Sequence, residues 1–149
     1  MRAFRISGPR AGHIVEVADP VPGPGEVLVA PSCVGICGTD ALIFAGHLHS
    51  RFPLVPGHEL SGTVVDLHAS VGGWRIGDRV TVDPTLTCGT CYRCRRAQSN
   101  HCEQWGAIGD TVDGGLAELV RVRARNLYAL ADDEDFTEAT FTEPVACAV

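Results

Sequence analysis

Four cysteines in one short segment restrict the fold of this chain more than any other feature. They follow the spacing C-x₂-C-x₂-C-x₇-C, and thiolates at these intervals can surround one tetrahedral Zn²⁺. Few apolar residues lie between Thr87 and Asn100, so metal ligation would supply folding energy that a small core cannot. Four sulfur ligands leave no position for a substrate, which predicts a structural site. The four residues are Cys88, Cys91, Cys94 and Cys102.

Free or disulfide-bonded thiols are the alternative interpretation. The regular spacing of the cysteines and the lack of a secretory leader at the start of the printed sequence argue against it. The start of the chain lacks the apolar core of a signal peptide, and no apolar run is long enough to span a bilayer. We therefore expect a cytoplasmic protein with reduced thiols and no membrane partner.

The remaining sequence predicts a mainly β fold with a few short helices. Runs of β-branched and apolar residues alternate with Gly- and Pro-rich turns, and the 17 glycines favour a β-barrel or sandwich. A short helix is predicted from Thr39 to Ala45, capped by Thr39 or Asp40, and the tail is predicted to be helical from Phe136 after an acidic run. The predicted strands cover residues 2–7, 13–17, 26–34, 60–67, 79–82, 115–122 and 127–130.

The net charge of −6, from 18 acidic and 12 basic residues, argues against a general nucleic-acid binder, because such proteins gain affinity by neutralising phosphates. Arg121, Arg123 and Arg125 alternate with Val122 and Ala124. Period-two spacing puts the three arginines on one strand face, which is predicted to be solvated; a phosphate or partner site is the alternative.

A second possible metal site is dispersed along the sequence. Cys37 lies in GICGTD, His58 and Glu59 in PGHE, and Glu143 in TEPVA. Sulfur, imidazole nitrogen and carboxylate oxygen are donors that zinc accepts, and three protein ligands with a water define a catalytic site. Each residue taken alone is weak support, because a single Cys is usually a small buried hydrophobe and a single His a surface or core residue. The spacing leaves both interpretations open.

In order, the motifs GICGTD, PGHE, GDRV, the four-cysteine segment, DGGLAELV and EPVA resemble those of the zinc-dependent medium-chain alcohol and polyol dehydrogenases. The resemblance runs from Met1 to Val149. It implies a GroES-like catalytic domain over residues 1–149, which is a partly open β-barrel with a structural-zinc lobe at about 84–106. It also implies that residues 136–149 begin the linker helix to a Rossmann domain.

The resemblance also implies the chemistry of the site. Two zinc ions per chain are expected: a structural ion on the four cysteines, and a catalytic ion on Cys37 and His58 with Glu59 and Glu143 alternating or holding a water. The catalytic ion would lower the pKa of a substrate hydroxyl, Thr39 would take the proton, and hydride would pass to NAD or NADP. Asp40 would orient His58. The implied substrate is a small alcohol, polyol or sugar, and the full-length enzyme would be a homo-oligomer.

Two positions depart from the family pattern. Leu42 stands where many relatives carry a histidine that ends a proton relay, so that His47 or solvent would have to finish it. Ala97 stands where the cysteine segment usually has glycine, which should introduce strain without loss of the metal.

No G-x-G-x-x-G follows a strand in this chain, so no nicotinamide-binding motif is present. We therefore expect a fragment that lacks the cofactor domain and is inactive in isolation. A stand-alone zinc-binding interaction module without catalysis is the main alternative. A zinc-ribbon nucleic-acid binder is favoured only by Arg93, Arg95 and Arg96 beside the ligands, and the acidic balance opposes it.

Overall fold

A computed structural model describes all 149 residues, and the molecule is mainly β. The strands are β1 (Arg2–Gly8), β2 (Ala11–Glu16), β3 (Glu26–Val34), β4 (Leu60–Leu67), β5 (Arg79–Val82), β6 (Thr85–Leu86), β7 (Gly106–Ala107), β8 (Val120–Arg123) and β9 (Leu127–Ala129). The central sheet has five strands in the order β8-β3-β4-β5-β9, and this sheet does not close on itself. The strand β1 forms a separate hairpin with β2, and β6 pairs with β7. The predicted partly open barrel is therefore confirmed.

Three short helices accompany the strands. They are α1 (Gly38–Ala45), α2 (Phe136–Thr140) and α3 (Thr142–Ala148). None of them is both long and apolar enough to cross a membrane.

Alternation along the strands produces the main core. Val27 and Val29 on β3 are fully buried beside Val64 on β4 and Val120 on β8, because successive side chains of a strand point to opposite faces. A smaller cluster of Ile6, Ile43 and Leu54 packs α1 against β1. Helix α1 is thus held against the hairpin rather than against the central sheet.

The pairing of β3 with β4 determines where the dispersed residues meet. The last pair in this ladder joins Val34 to Leu60, and the N–H of Gly35 continues it by donating to the carbonyl of Glu59 at 2.7 Å. The segment that leaves β3 and the segment that enters β4 therefore lie side by side. Cys37 and His58 belong to these two segments.

Buried polar groups attach α2 to the central sheet. The hydroxyl of Ser61 on β4 lies 2.6 Å from the carbonyl oxygen of Phe136 and 2.8 Å from the hydroxyl of Thr140. The Arg79 guanidinium stacks on the Phe136 ring at 3.9 Å. Asp135, the last residue of the acidic run, caps the helix by accepting from the N–H groups of Thr137 and Glu138, and the helix begins at Phe136 as predicted.

Three sequence predictions differ from the structure. The strand predicted at 115–122 forms only from Val120, because the N–H groups of Gly115 and Leu116 donate to carbonyls of a neighbouring loop. Helix α1 begins one residue before Thr39, and its cap is Cys37 rather than Thr39 or Asp40. The tail helix is divided at Phe141 into α2 and α3.

Candidate metal centres

The four cysteines form a compact group of sulfur atoms. All four Sγ atoms lie within 4.8 Å of one another, with Cys88 3.9 Å from Cys94 and 3.6 Å from Cys102. A tetrahedral ion with Zn–S bonds of about 2.3 Å separates its sulfurs by about 3.8 Å. All seven cysteines of the chain are free thiols. The sulfur positions therefore fit a closed tetrahedral zinc site.

Backbone N–H groups prepare these sulfurs to carry negative charge. The N–H groups of Thr90 and Cys91 donate to the sulfur of Cys88 at 3.4 and 3.3 Å, which lowers the pKa of this thiol to about 6. The N–H of Cys94 likewise lowers the pKa of Cys91. Partial desolvation and the neighbouring Cys91 raise the pKa of Cys94 to about 12. Four crowded thiols thus hold a proton that a divalent cation would displace.

The lobe is attached to the sheet just before its first cysteine. Arg123 Nη1 donates to the carbonyl of Thr87 at 2.9 Å, and Arg125 donates to the same oxygen. Arg121 contacts Glu26 instead, at 3.3 Å. Arg121 and Arg125 are exposed and Arg123 is half-buried, so the predicted solvated face is confirmed for Arg121 and Arg125 but not for Arg123. Arg123 and Arg125 also position the chain beside Cys88. Arg125 also lies outside β8, in a turn that follows it.

A second group brings together three residues of the dispersed motifs. The sulfur of Cys37, a ring nitrogen of His58 and a carboxylate oxygen of Glu59 lie within 4.8 Å of one another. Cys37 caps α1, and the other two immediately precede β4. This donor set has one thiolate, one imidazole and one carboxylate, which zinc accepts as three ligands of a site with an open position.

Asp40 connects the two segments that carry these donors. One of its oxygens accepts the N–H of Cys37 at 2.8 Å, and the other accepts the N–H of Gly57 at 3.1 Å. The second oxygen also lies 3.7 Å from His58 Nδ1, which leaves Nε2 for a metal. The side chain of Asp40 is only 5 % exposed. Its position agrees with the predicted role of orienting His58.

Asp40 and His58 lie close enough to shift each other's pKa towards the charged form. Burial raises the pKa of Asp40, but His58 and the N–H groups of Cys37 and Gly57 outweigh it, and the pKa is lowered from its usual value. The interaction with Asp40 raises the pKa of His58 to about 9 against the opposing effect of burial. A metal ligand must be neutral imidazole, so a bound cation would take the place of that proton.

Gly35 provides space for the carboxylate of Glu59. A Cβ atom on Gly35 would lie 2.1 Å from Glu59 Oε2 and 3.0 Å from its Cβ. The absence of a side chain at Gly35 therefore allows close packing against a candidate ligand.

Thr39 and Glu143 lie at the edges of this group. The hydroxyl of Thr39 is 3.8 Å from the sulfur of Cys37. Glu143 lies in the first turn of α3, outside the group of three, and one of its oxygens accepts the thiol of Cys147 at 3.3 Å. Its role as an alternating ligand stays a prediction. Leu42 on α1 is 48 % exposed.

Comparison with known proteins places this arrangement in a family. Residues 23–132 match the alcohol dehydrogenase GroES-like domain. The chain is 38 % identical over 149 residues to D-arabinitol dehydrogenase 1 of Uromyces fabae, covering 100 % of this chain and 42 % of that protein. It therefore spans about two fifths of the length of the curated relatives it matches.

Solved structures share the fold over nearly the whole chain. A candidate zinc-binding dehydrogenase of Sinorhizobium meliloti 1021, bound to NADP, has a TM-score of 0.94 and 36 % identity over 98 % of this chain and 43 % of its own. A cobalt- and zinc-bound alcohol dehydrogenase of Pyrobaculum aerophilum has a TM-score of 0.88 and 35 % identity over 96 % of this chain and 44 % of its own. The chain belongs to the zinc-type medium-chain alcohol and polyol dehydrogenase family and corresponds to its GroES-like N-terminal part.

Proposed function

We propose that this chain is the zinc-binding catalytic domain of an NAD(P)-dependent dehydrogenase that oxidises the hydroxyl of a small alcohol, polyol or sugar. The observation that carries this proposal is the group of Cys37, His58 and Glu59, whose donor atoms converge beside the hydroxyl of Thr39. A closed four-sulfur site elsewhere in the chain cannot supply an open coordination position. The name of the arabinitol relative supports a polyhydric substrate.

The donor set decides the charge that the site can carry. The thiolate of Cys37 and one carboxylate would balance a divalent cation, which when bound makes a hydroxyl more acidic. A second carboxylate would make the site anionic, so only one should bind at a time. Glu59 lies in the group with Cys37 and His58 and is the preferred third ligand, with Glu143 as its alternate. Asp40 binds backbone N–H groups on both ligand segments and would hold them at a fixed separation.

Proton removal falls to the hydroxyl of Thr39. Its Oγ1 lies next to the sulfur of Cys37, on the first turn of α1, where a substrate hydroxyl bound at the open position would be within reach. Leu42, one turn further along, cannot carry a proton. Since Leu42 is about half exposed, water at the surface of α1 would receive the proton from Thr39.

The proposed function assigns a role to each region of the chain. We assign residues 1–149 to the GroES-like catalytic domain, 84–106 to its structural-zinc lobe, and 136–149 to the start of a linker helix. The nicotinamide cofactor would be bound outside these residues, since they contain no G-x-G-x-x-G. A cytoplasmic, homo-oligomeric full-length enzyme is part of the proposal.

Metal counting separates this function from an interaction module. Elemental analysis of the wild-type chain should find two zinc ions, and the Cys37→Ala chain should contain one. Cys33→Ala provides a matched control, because Cys33 is a free thiol on β3 outside both donor groups. A single ion in both the wild-type and Cys37→Ala chains would contradict the proposal and favour a zinc-binding module without catalysis.

A further inference from the structure

The motif DGGLAELV has no role in the site described above, yet its first four residues lie against the loop that carries His58. The N–H of Gly114 donates to the carbonyl of Val55 at 2.7 Å, and the N–H of Gly115 donates to that of Gly57 at 2.8 Å. Two further bonds complete the contact: Val55 N–H to Asp113 Oδ1 at 2.9 Å, and Leu116 N–H to the Pro56 carbonyl at 3.0 Å. Four hydrogen bonds thus join residues 113–116 to residues 55–57.

The approach of the two backbones requires glycine at position 114. A Cβ atom there would lie 2.3 Å from the carbonyl oxygen of Gly57, 2.7 Å from Cα of Gly109 and 2.8 Å from the carbonyl oxygen of Pro56. All three neighbours are backbone atoms, so no flexible side chain can move aside. Relief of the shortest contact needs a displacement of about 1 Å.

The atom that would be displaced belongs to the peptide bond between Gly57 and His58. The opposite side of this loop is held by Asp40, which accepts the N–H of Gly57. The loop is therefore fixed between Asp40 on one side and residues 113–116 on the other. A rotation of the Gly57–His58 peptide would move the imidazole relative to Cys37.

We propose that Gly114 is a positioning residue for the metal ligand His58, acting through the Gly57–His58 peptide. This inference rests on the proposed zinc site formed by Cys37, His58 and Glu59. Residues 113–116 act as a rigid support for the ligand loop, and side chains are excluded from position 114 so that the support can approach. Residues that orient metal ligands typically change metal affinity by about 10–100-fold when they are altered.

Cobalt binding tests the inference on the intact chain. The four-cysteine site is first filled with zinc, and Co²⁺ is then titrated into the three-ligand site, with the Cys37→Ala chain as the spectral background. We expect Gly114→Ala to bind Co²⁺ about 10–100-fold more weakly and to show shifted visible bands. Gly72→Ala is the matched control, because a Cβ at Gly72 would contact nothing within 4 Å, and it should behave as wild type.

A general loss of stability must be distinguished from a specific effect. Val122→Ala removes methyl groups from a side chain that is 1 % exposed in the sheet core, and it should lower the unfolding midpoint without altering the cobalt spectrum. Asp113→Ala removes the acceptor of the Val55 N–H and should weaken binding in the same direction as Gly114→Ala. Asp113→Asn keeps a carbonyl oxygen that can accept the Val55 N–H, and it should therefore bind Co²⁺ as tightly as the wild type. This pair also serves if Gly114→Ala does not fold.

The outcomes separate the two proposals. A wild-type chain that takes up no second ion overturns the proposed function and this inference with it. A wild-type chain with two ions, combined with unchanged affinity and spectrum in Gly114→Ala or in Asp113→Ala, overturns the inference alone. An equal loss of cobalt affinity in Val122→Ala would also overturn it, since the effect would then reflect stability.

Discussion

Asp40 joins the two segments that carry the three-ligand site. Its carboxylate is 5 % exposed and binds the N–H groups of Cys37 and Gly57 at 2.8 and 3.1 Å. Hydrogen bonds to a charged group contribute about 1.5–3 kcal/mol each, and a buried donor left without a partner costs a comparable amount. Asp40→Ala leaves both backbone N–H groups without an acceptor, so the free energy of unfolding of the metal-free chain should fall by about 3–6 kcal/mol.

Asp40→Asn is the sharper variant, because it changes one functional group and keeps the size of the side chain. Its amide retains one carbonyl oxygen but presents an NH₂ group to the second backbone donor. One of the two bonds is thereby lost, and the expected cost is about 1.5–3 kcal/mol. The affinity of the three-ligand site for zinc should fall by about 10–100-fold, while the four-cysteine site keeps its ion.

Urea unfolding in the presence of a chelator measures the stability term, and competition with a coloured chelator measures zinc affinity. Asp66→Asn is the control, since Asp66 is exposed and accepts only the N–H of Leu67. If Asp40→Asn unfolds within about 0.5 kcal/mol of the wild type, as surface substitutions usually do, then Asp40 does not join the two ligand segments.

Four further results are expected. Ala97 adopts the left-handed conformation at φ 56°, which costs a residue with a Cβ about 1–2 kcal/mol, while the greater freedom of Gly in the unfolded chain costs about 0.5–1 kcal/mol. Ala97→Gly should therefore raise the stability of the zinc-loaded chain by about 0.5–1 kcal/mol in denaturant unfolding; a decrease would contradict this. Removal of zinc should increase hydrogen exchange in residues 88–104 while the five-stranded sheet stays protected, as mass spectrometry can show. In the same chelator competition, Glu59→Gln should lower the zinc affinity of the three-ligand site more than Glu143→Gln does. The reverse order would make Glu143 the third ligand. The 149-residue chain should form no NAD(P)H from alcohols or polyols, and a clear rise in NAD(P)H absorbance would refute this.

The two metal centres differ in how far the sequence could predict them. All four candidate ligands of the cysteine group lie within 15 consecutive residues, so their spacing alone indicates a tetrahedral site. Cys37 and His58 are brought together by tertiary structure, namely the β3–β4 ladder that ends at Val34 and Leu60 and the hydrogen bonds of Asp40 to both segments. Periodicity predicted both strands with their correct bounds but could not predict their pairing, and a resemblance to a family was needed to connect the two residues.

Two predicted element boundaries are wrong because hydrogen bonds outside the predicted pattern replace it. The pattern of residues 115–122 is that of a strand, but the N–H groups of Gly115 and Leu116 donate to carbonyl groups of the loop that carries His58. The sequence predicts the cap of α1 at Thr39 or Asp40, whereas Cys37 caps the helix and Asp40, in the first turn, accepts the N–H of Cys37. Both errors arise at residues that hold candidate metal ligands, where function competes with the regular pattern.

The placement of the candidate ligands predicts an order in which the two proposed zinc ions would bind. The cysteine segment needs only local chain closure, whose entropic cost is small for short loops, so it can take up zinc before the sheet is complete. The second site needs β3 and β4 paired, Asp40 bonded to both ligand segments, and residues 113–116 in place behind Gly57. Its donors therefore converge only in the folded molecule. Zinc bound there would report the integrity of the sheet, whereas zinc on the four cysteines would report only that of the lobe.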